Sequence, residues 1–279
     1  MDGKTRQIKN ALLNLIAVLI AVLFLFPLYW ILVSSLKSDA EIFRKPPTFF
    51  PTKILVQNYL AMLSGKLSMM IYFRNSIIIA ISSMCISFVL AVPAAYGLSR
   101  FRMGLKKQII IFFLTTQMLP ASLVLTPLFL NYSKLGILNT LLAPIISCAT
   151  ISIPFTVVIL RPIFLSCPKE LDESARIDGC NRFTAFIRIV LPVSSAGLVT
   201  VGCFSFVHAW NDLIFSMTFN SKNELRPMTS AIYNLMNDYG LSWNLIMAYG
   251  VILVFPVIVL FIAAQRYIIG GLTGGAVKG

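Results

Sequence analysis

Six stretches of about 22 residues, each predominantly apolar, decide most of what this chain can become. They lie near Ala11–Val33, Ser76–Leu98, Ile109–Leu130, Leu138–Leu160, Val193–Phe215 and Met247–Ile269. A helix of that length spans the hydrocarbon core of a bilayer, and backbone groups in lipid have to bond internally. The expected fold is therefore an all-α membrane protein, with one transmembrane domain over residues 1–279. Composition excludes an ordinary soluble domain, since 58% of the residues are hydrophobic and only 12% charged. The first stretch follows Lys4, Arg6 and Lys9, as a secretory signal would. Its apolar core is too long for one and no small-x-small cleavage site follows, so it reads as a retained span.

Basic residues set the expected orientation. Lys4, Arg6 and Lys9 precede the first span, and Arg100, Arg102, Lys106 and Lys107 follow the second. Arg161, Lys169, Arg176, Arg182 and Arg188 fall between the fourth and fifth, with Arg266 and Lys278 at the end. The alternate connections are poorer: Lys134 alone in one, Lys222 and Arg226 in another. The basic 34–75 loop is the exception, but it is long, and long loops follow the positive-inside rule less closely. Both termini and the 161–192 loop are expected in the cytoplasm. The net charge of +13 reads as topology and contact with membrane lipid rather than as nucleic-acid binding. In the 34–75 loop, Pro46, Pro47 and Pro51 argue for an ordered, extended excursion. It reads either as a contact for an external partner or as a strap across the spans.

Between the fourth and fifth spans lies the most charged segment of the chain, Pro168–Pro192. Pro168 suits a first helical turn, and Glu170, Asp172 and Glu173 suit a helix N-terminus. Asp172 and Arg176 are four apart and are expected to pair. Leu171, Ala175 and Ile177 supply apolar positions, with Ala175 small enough for close approach of another surface. Gly179 ends the helix where a left-handed residue is cheap. Phe183, Phe186, Ile187 and Val190 form the next apolar stripe. By pattern alone, an amphipathic loop lying on the membrane surface fits equally well.

Within the spans, Pro120, Pro127, Pro144 and Pro154 are expected to bend helices toward protein or a water-filled path. The fifth span carries His208, Trp210, Asn211 and Asp212. His208 and Asp212 share a helix face, and intramembrane ionisable groups are functional candidates. With one histidine in the chain, a metal site has little to build on. Trp210, Asn211 and Asp212 are read as candidates for the end of a translocation path, lining it or holding its shape. The cysteines, 85, 148, 167, 180 and 203, have no CxxC spacing and read as reduced and unligated.

The Pro168–Pro192 segment resembles the EAA loop of ATP-binding-cassette (ABC) importer permeases. Glu173-Ser174-Ala175, three residues, Gly179, nine residues, then Ile189-Val190-Leu191-Pro192 keep that spacing, with Ser174 replacing the usual alanine. Pro27, Trp30, Ser35, Leu36 and Lys37, then Asn75-Ser76, Ala95–Phe101 and Pro120, resemble the maltose-type carbohydrate permeases. Trp210-Asn211-Asp212 and the tail from Gln265 to Gly279 do so as well. The resemblance implies a six-helix permease of the type I importer kind and a cytoplasmic coupling helix in 161–192. Glu170, Asp172, Glu173, Ala175, Asp178 and Gly179 would meet the ATPase. It also implies a second homologous permease, two ABC ATPase subunits, an extracytoplasmic sugar-binding protein and a bacterial or archaeal cell membrane. No G-x-x-x-x-G-K-[ST] loop occurs, so ATP would be bound by the partner ATPase, with no cofactor in this chain. A permease for an amino acid, peptide or phosphate is one rival. An intramembrane enzyme using His208 and Asp212 is another, and an ion-coupled carrier a third.

Overall fold

The computed structural model describes residues 3–64, 69–232 and 242–273. Among them are helices and connections, with no strand. Four helices are each long and apolar enough to cross a membrane: Lys9–Ser35, Met69–Arg100, Leu142–Ser166 and Trp243–Tyr267. Two bent pairs bring the number to six, if each is one span. Lys106–Gln117 meets Ala121–Lys134 at 97°, and Arg182–Val193 meets Ser195–Trp210 at 80°. In chain order the helices are α1 (Gly3–Ser35), α2 (Asp39–Ile42), α3 (Gln57–Ser64), α4 (Met69–Arg100), α5 (Lys106–Gln117) and α6 (Ala121–Lys134). Then come α7 (Leu142–Ser166), α8 (Lys169–Ile177), α9 (Arg182–Ala185), α10 (Leu191–Val193), α11 (Ser195–Trp210), α12 (Ile214–Phe219) and α13 (Trp243–Thr273). The chain divides into two compact units, Met1–Ser68 with Ile232–Phe255, and Met69–Ala231 with Pro256–Gly279.

In the first unit, α1 is bare along most of its length, with Leu12 through Phe26 exposed. Past its end, polar groups knot the chain. Lys37 is 1% exposed, its ammonium lies 5.0 Å from the centre of the Trp30 ring, and it donates to the Thr48 carbonyl. The Glu41 carboxylate accepts from the Thr48 hydroxyl (3.0 Å) and the Thr52 N–H (2.8 Å). Burial alone would raise the Glu41 pKa; the bonds from Thr52 and Thr48 and the charge of Lys37 outweigh it and hold the pKa below the ordinary value. Asn58 donates to the Ser35 and Lys37 carbonyls at 2.8 and 3.1 Å, and Asn244 donates to Asn58 at 3.1 Å. The 34–64 excursion is thus ordered by its own buried polar contacts.

The second unit is built on α4, α7 and α11. Ala91, Ala95, Val157, Leu160, Phe164 and Val201 form its buried core. Small residues let these helices approach closely, and hydroxyls bridge them. Ser87, Thr156 and Ser205 stand in a row at 3.4 Å per step, one from each helix. Ser83 donates to the Ile145 carbonyl at 3.0 Å. Asn75 and Ser76 hold the 224–228 segment: Asn75 donates to the Glu224 and Arg226 carbonyls, and Ser76 accepts from the Met228 N–H.

Several expected boundaries move. The span expected over Ile109–Leu130 is two helices. Pro120 sits extended (φ −65, ψ 139) ahead of α6, and lacking an N–H it cannot continue the α5 ladder. The span expected over Val193–Phe215 stops at Trp210; α12 is a separate helix whose first-turn N–H groups bond to the Asp212 carboxylate. Pro144 lies in the first turn of α7, where a missing N–H costs nothing, so it imposes no bend. The helix of the last span continues past Ile269 to Thr273; 274–279 lie outside the described residues.

Gly202 tests the packing. A Cβ there would meet Phe88 Cζ at 3.2 Å. Gly202→Val is expected to cost about 1–3 kcal/mol by overpacking and to lower the unfolding midpoint in detergent. Phe88→Ala in the same chain should restore part of it. An unchanged midpoint in the single variant would contradict the close α4–α11 approach.

Candidate functional site

Segment 168–193 folds as a helix, a glycine turn and a second helix. Pro168 is extended ahead of α8 (φ −56, ψ 136), with Glu170 and Asp172 in the first turn and Arg176 in the last. Gly179 adopts φ +86. Its N–H donates to the Arg176 carbonyl at 3.2 Å, and the Cys180 N–H donates to the Ala175 carbonyl at 2.9 Å. That pair of bonds is a Schellman motif, which requires a left-handed residue at its turn. A Cβ on Gly179 would meet nothing within 4 Å, so only the backbone demands glycine there. Asn181 then caps α9, its side-chain oxygen accepting from the Thr184 N–H at 2.8 Å. The helix widens into a π turn over Phe186–Val190, before Pro192, which has no N–H to give the ladder.

The two faces of this segment differ. Ala175, Ala185, Phe186 and Val190 are buried against the chain's own bundle. Glu170, Glu173 and Asp178 are exposed, and so are Ile177 (86%) and Phe183 (69%). One expectation is corrected: Ala175, read as room for another subunit, is used for close approach to its own chain. Of the expected apolar positions, Ile177 and Phe183 face out beside the acids.

Asp172 is the second departure. Its carboxylate does not pair with Arg176; Arg100 Nε, at the end of α4, lies 2.9 Å from Oδ2. The side chains are 7% and 18% exposed. Arg100 also donates to the Cys167 carbonyl at 2.9 Å, and the Tyr96 hydroxyl to Asp172 Oδ1 at 3.4 Å. The Tyr96 ring lies 4.5 Å from Phe186 and 5.9 Å from Phe164, centre to centre. One end of α4 therefore grips the segment at 167, 172 and 186. Side-chain spacing along a helix finds only local partners, and Arg100 is distant in sequence.

At the other end of α11 the candidate path residues separate. Trp210 is fully buried, stacked on Phe206 at 5.7 Å and edge-on to Phe73 at 5.8 Å. Asp212 is 8% exposed. It accepts from the Phe215 N–H (3.1 Å), the Ser216 N–H (2.9 Å) and the Ser216 hydroxyl (2.7 Å). From one residue ahead of the N-cap Leu213 it thus satisfies two first-turn N–H groups of α12. Asn211 is exposed. None of these bonds to the Asp212 carboxylate comes from His208. Among the described residues no three His, Cys, Asp or Glu side chains gather as metal ligands.

The sequence profile of a family described as "binding-protein-dependent transport system inner membrane component" matches residues 5–273. The chain is 30% identical over 266 residues to the diacetylchitobiose uptake system permease protein DasC of Streptomyces coelicolor, covering 95% of this chain and 96% of that one. It is 32% identical over 274 residues to the trehalose/maltose transport system permease protein MalG of Thermococcus litoralis, covering 98% of each. Its fold is similar to that of a chain in a bacterial ABC transporter that imports the acidic polysaccharide alginate. There the TM-score is 0.80 at 22% identity, covering 96% of this chain and 99% of that one.

Breaking a buried ion pair on one side leaves a charge without its partner. Asp172→Ala and Arg100→Ala are each expected to lower the unfolding midpoint. The double variant should lose less than the sum, by a coupling of about 0.5–3 kcal/mol. Strict additivity would show that the pair contributes nothing.

Proposed function

The chain belongs to the family of binding-protein-dependent transport system inner membrane components, and from that premise we propose that it forms half of the pathway of an ATP-driven carbohydrate importer. A second, homologous permease supplies the other half. Two ABC ATPase subunits dock beneath, and an extracytoplasmic binding protein delivers the sugar. The relatives named for diacetylchitobiose and for trehalose and maltose support the substrate class. The basic-residue asymmetry supports a multi-pass protein of a bacterial or archaeal cell membrane with both termini inside. This subunit carries out no chemistry of its own: ATP is bound and hydrolysed by the partner.

The observation that carries the coupling role is the two-sided character of α8. Its outer face offers Glu170, Glu173 and Asp178 beside Ile177, a mixture suited to a cleft with basic rims and an apolar floor. Its inner face is fixed by Ala175 and Asp172 to the bundle. Gly179 provides the turn that presents that outer face. Closure of the ATPase dimer pushes α8. The Arg100–Asp172 pair and the Tyr96–Phe186 contact carry the push into α4, and α7 and α11 follow through the shared core. ATP drives the exchange of inward- and outward-open states only by binding one of them better. At the far end of α11, Trp210 and Asp212 hold the shape of the pathway, and Asn211 faces it.

The test is reconstitution of the whole complex in proteoliposomes, with uptake of radiolabelled maltose, trehalose and diacetylchitobiose. Uptake of at least one, dependent on ATP and on the binding protein, is expected. Gly179→Leu should reduce both ATPase recovery and uptake more than Glu173→Gln, since leucine is strained at φ +86. Uptake of none of the three, with an amino acid or phosphate moved instead, would overturn the carbohydrate reading. Normal ATPase recovery and uptake in Gly179→Leu would overturn the coupling role.

A further inference from the structure

A cavity of about 180 Å³ opens between the end of α5, the middle of α7 and the last turns of α11. Gln117, Ser152, Phe155, Phe204, Ser205 and His208 line it. None is among the residues the sequence pattern singles out for the pathway, and His208 stands out there only as an intramembrane ionisable group. The cavity sits beside the break at Met118–Pro120, where the backbone turns by 97°. Broken backbone at membrane depth is tolerated only where protein or a water-filled cavity covers it. His208 and Gln117 are exposed, and polar side chains at such depth are costly against lipid. The mouth of the cavity therefore faces water or a protein surface.

Its walls have a definite chemistry. The Phe155 and Phe204 rings meet edge to face, centres 5.8 Å apart at 65°. They offer apolar surface of the kind that covers the C–H face of a sugar ring. Around them stand two hydroxyls, an amide and an imidazole, which both donate and accept. No Lys, Arg, Asp or Glu lines it, so nothing there balances a formal charge on a ligand. Ser152 is 4% exposed, and its buried hydroxyl has no hydrogen-bond partner. A buried polar atom left so is unusual and is satisfied when a ligand or water supplies the bond. At about 180 Å³ the space is on the scale of one ring rather than of a chain of them.

We propose that this cavity is a subsite for one uncharged sugar ring on this chain's side of the pathway, with the phenylalanines stacking and Ser152, Gln117 and His208 bonding the hydroxyls. The proposal rests on the carbohydrate-importer reading and adds where on this chain the ring is held. Longer sugars would pass it one ring at a time.

Two measurements test it, both on the assembled complex. In a cysteine-free chain, His208→Cys is treated with a charged, water-soluble thiol reagent and, separately, with a lipid-soluble maleimide. Rapid reaction with the charged reagent, slowed by whichever of maltose, trehalose or diacetylchitobiose the complex imports, is expected. Reaction with the maleimide alone would place the cavity against lipid and overturn the subsite. In the otherwise native chain, Phe204→Ala is expected to raise KM for uptake about tenfold, the loss of one aromatic contact, with ATPase recovery unchanged. Ser152→Ala should raise KM less. Unchanged KM in both variants, in a complex that still imports sugar, would overturn the subsite while leaving the importer reading intact. Failure of the native complex to import any of the sugars falls on the importer reading first, and the subsite falls with it.

Discussion

Arg100 and Asp172 form an ion pair largely withdrawn from water, and the seating of α8 against the end of α4 depends on it. Pairs of this kind are weak contributors to net stability, because removing two charges from water is costly. Their value is positional: once made, a buried pair tolerates few alternative arrangements. Here the pair fixes a short polar helix to the end of a 32-residue apolar one. The carbonyl of Cys167 and the ring of Tyr96 complete the grip. A surface helix that would otherwise pivot on its loops is thereby fastened to the end of α4.

The same economy governs the interior. Hydrocarbon forces every backbone group into a hydrogen bond, so each place where a helix breaks must be repaired locally. Asp212 repairs the break after Trp210 by bonding two first-turn N–H groups of α12. Outside the hydrocarbon, Asn181 caps the helix that follows Gly179. The break at Met118–Pro120 is flanked by the Gln117 amide, which donates to the Ile151 carbonyl at 3.1 Å, and by the cavity that opens there. Helix breaks in this chain therefore coincide with the places to which the proposed function assigns a role: the 168–193 segment, the end of α11, and the proposed ring subsite.

Hydropathy made the six spans legible, since it reports the one property that lipid selects. It did not reveal the bends, because a proline in an apolar run signals a kink without its angle: Pro154 stays within the continuous α7 while Pro120 closes a 97° turn. The coupling segment was legible as helix, glycine turn and helix, because Pro168, Gly179 and Asn181 each act through local backbone chemistry. The partners of Asp172 and Ala175 were not. Both are tertiary contacts, and spacing along one helix is silent about a residue on another. Trp210 and Asp212 stood out as polar oddities, yet the structure buries both and leaves Asn211 and His208 exposed. Phe155, Phe204 and Ser152 had no signal at all: in an apolar chain two phenylalanines and a serine look like packing until three helices bring them together.

The central claim is that α8 and α4 move as one body through the ATPase cycle. It is tested most directly by replacing Arg100 and Asp172 with cysteines in a cysteine-free chain, assembling the complex, and joining the two thiols with a short bifunctional reagent. Sugar uptake per ATP hydrolysed is measured before and after linking. The account requires the unlinked double variant to hydrolyse ATP with little uptake, and the covalent link to restore uptake toward the native ratio. A linked complex that stays uncoupled, or an unlinked one that imports at the native ratio, would contradict it.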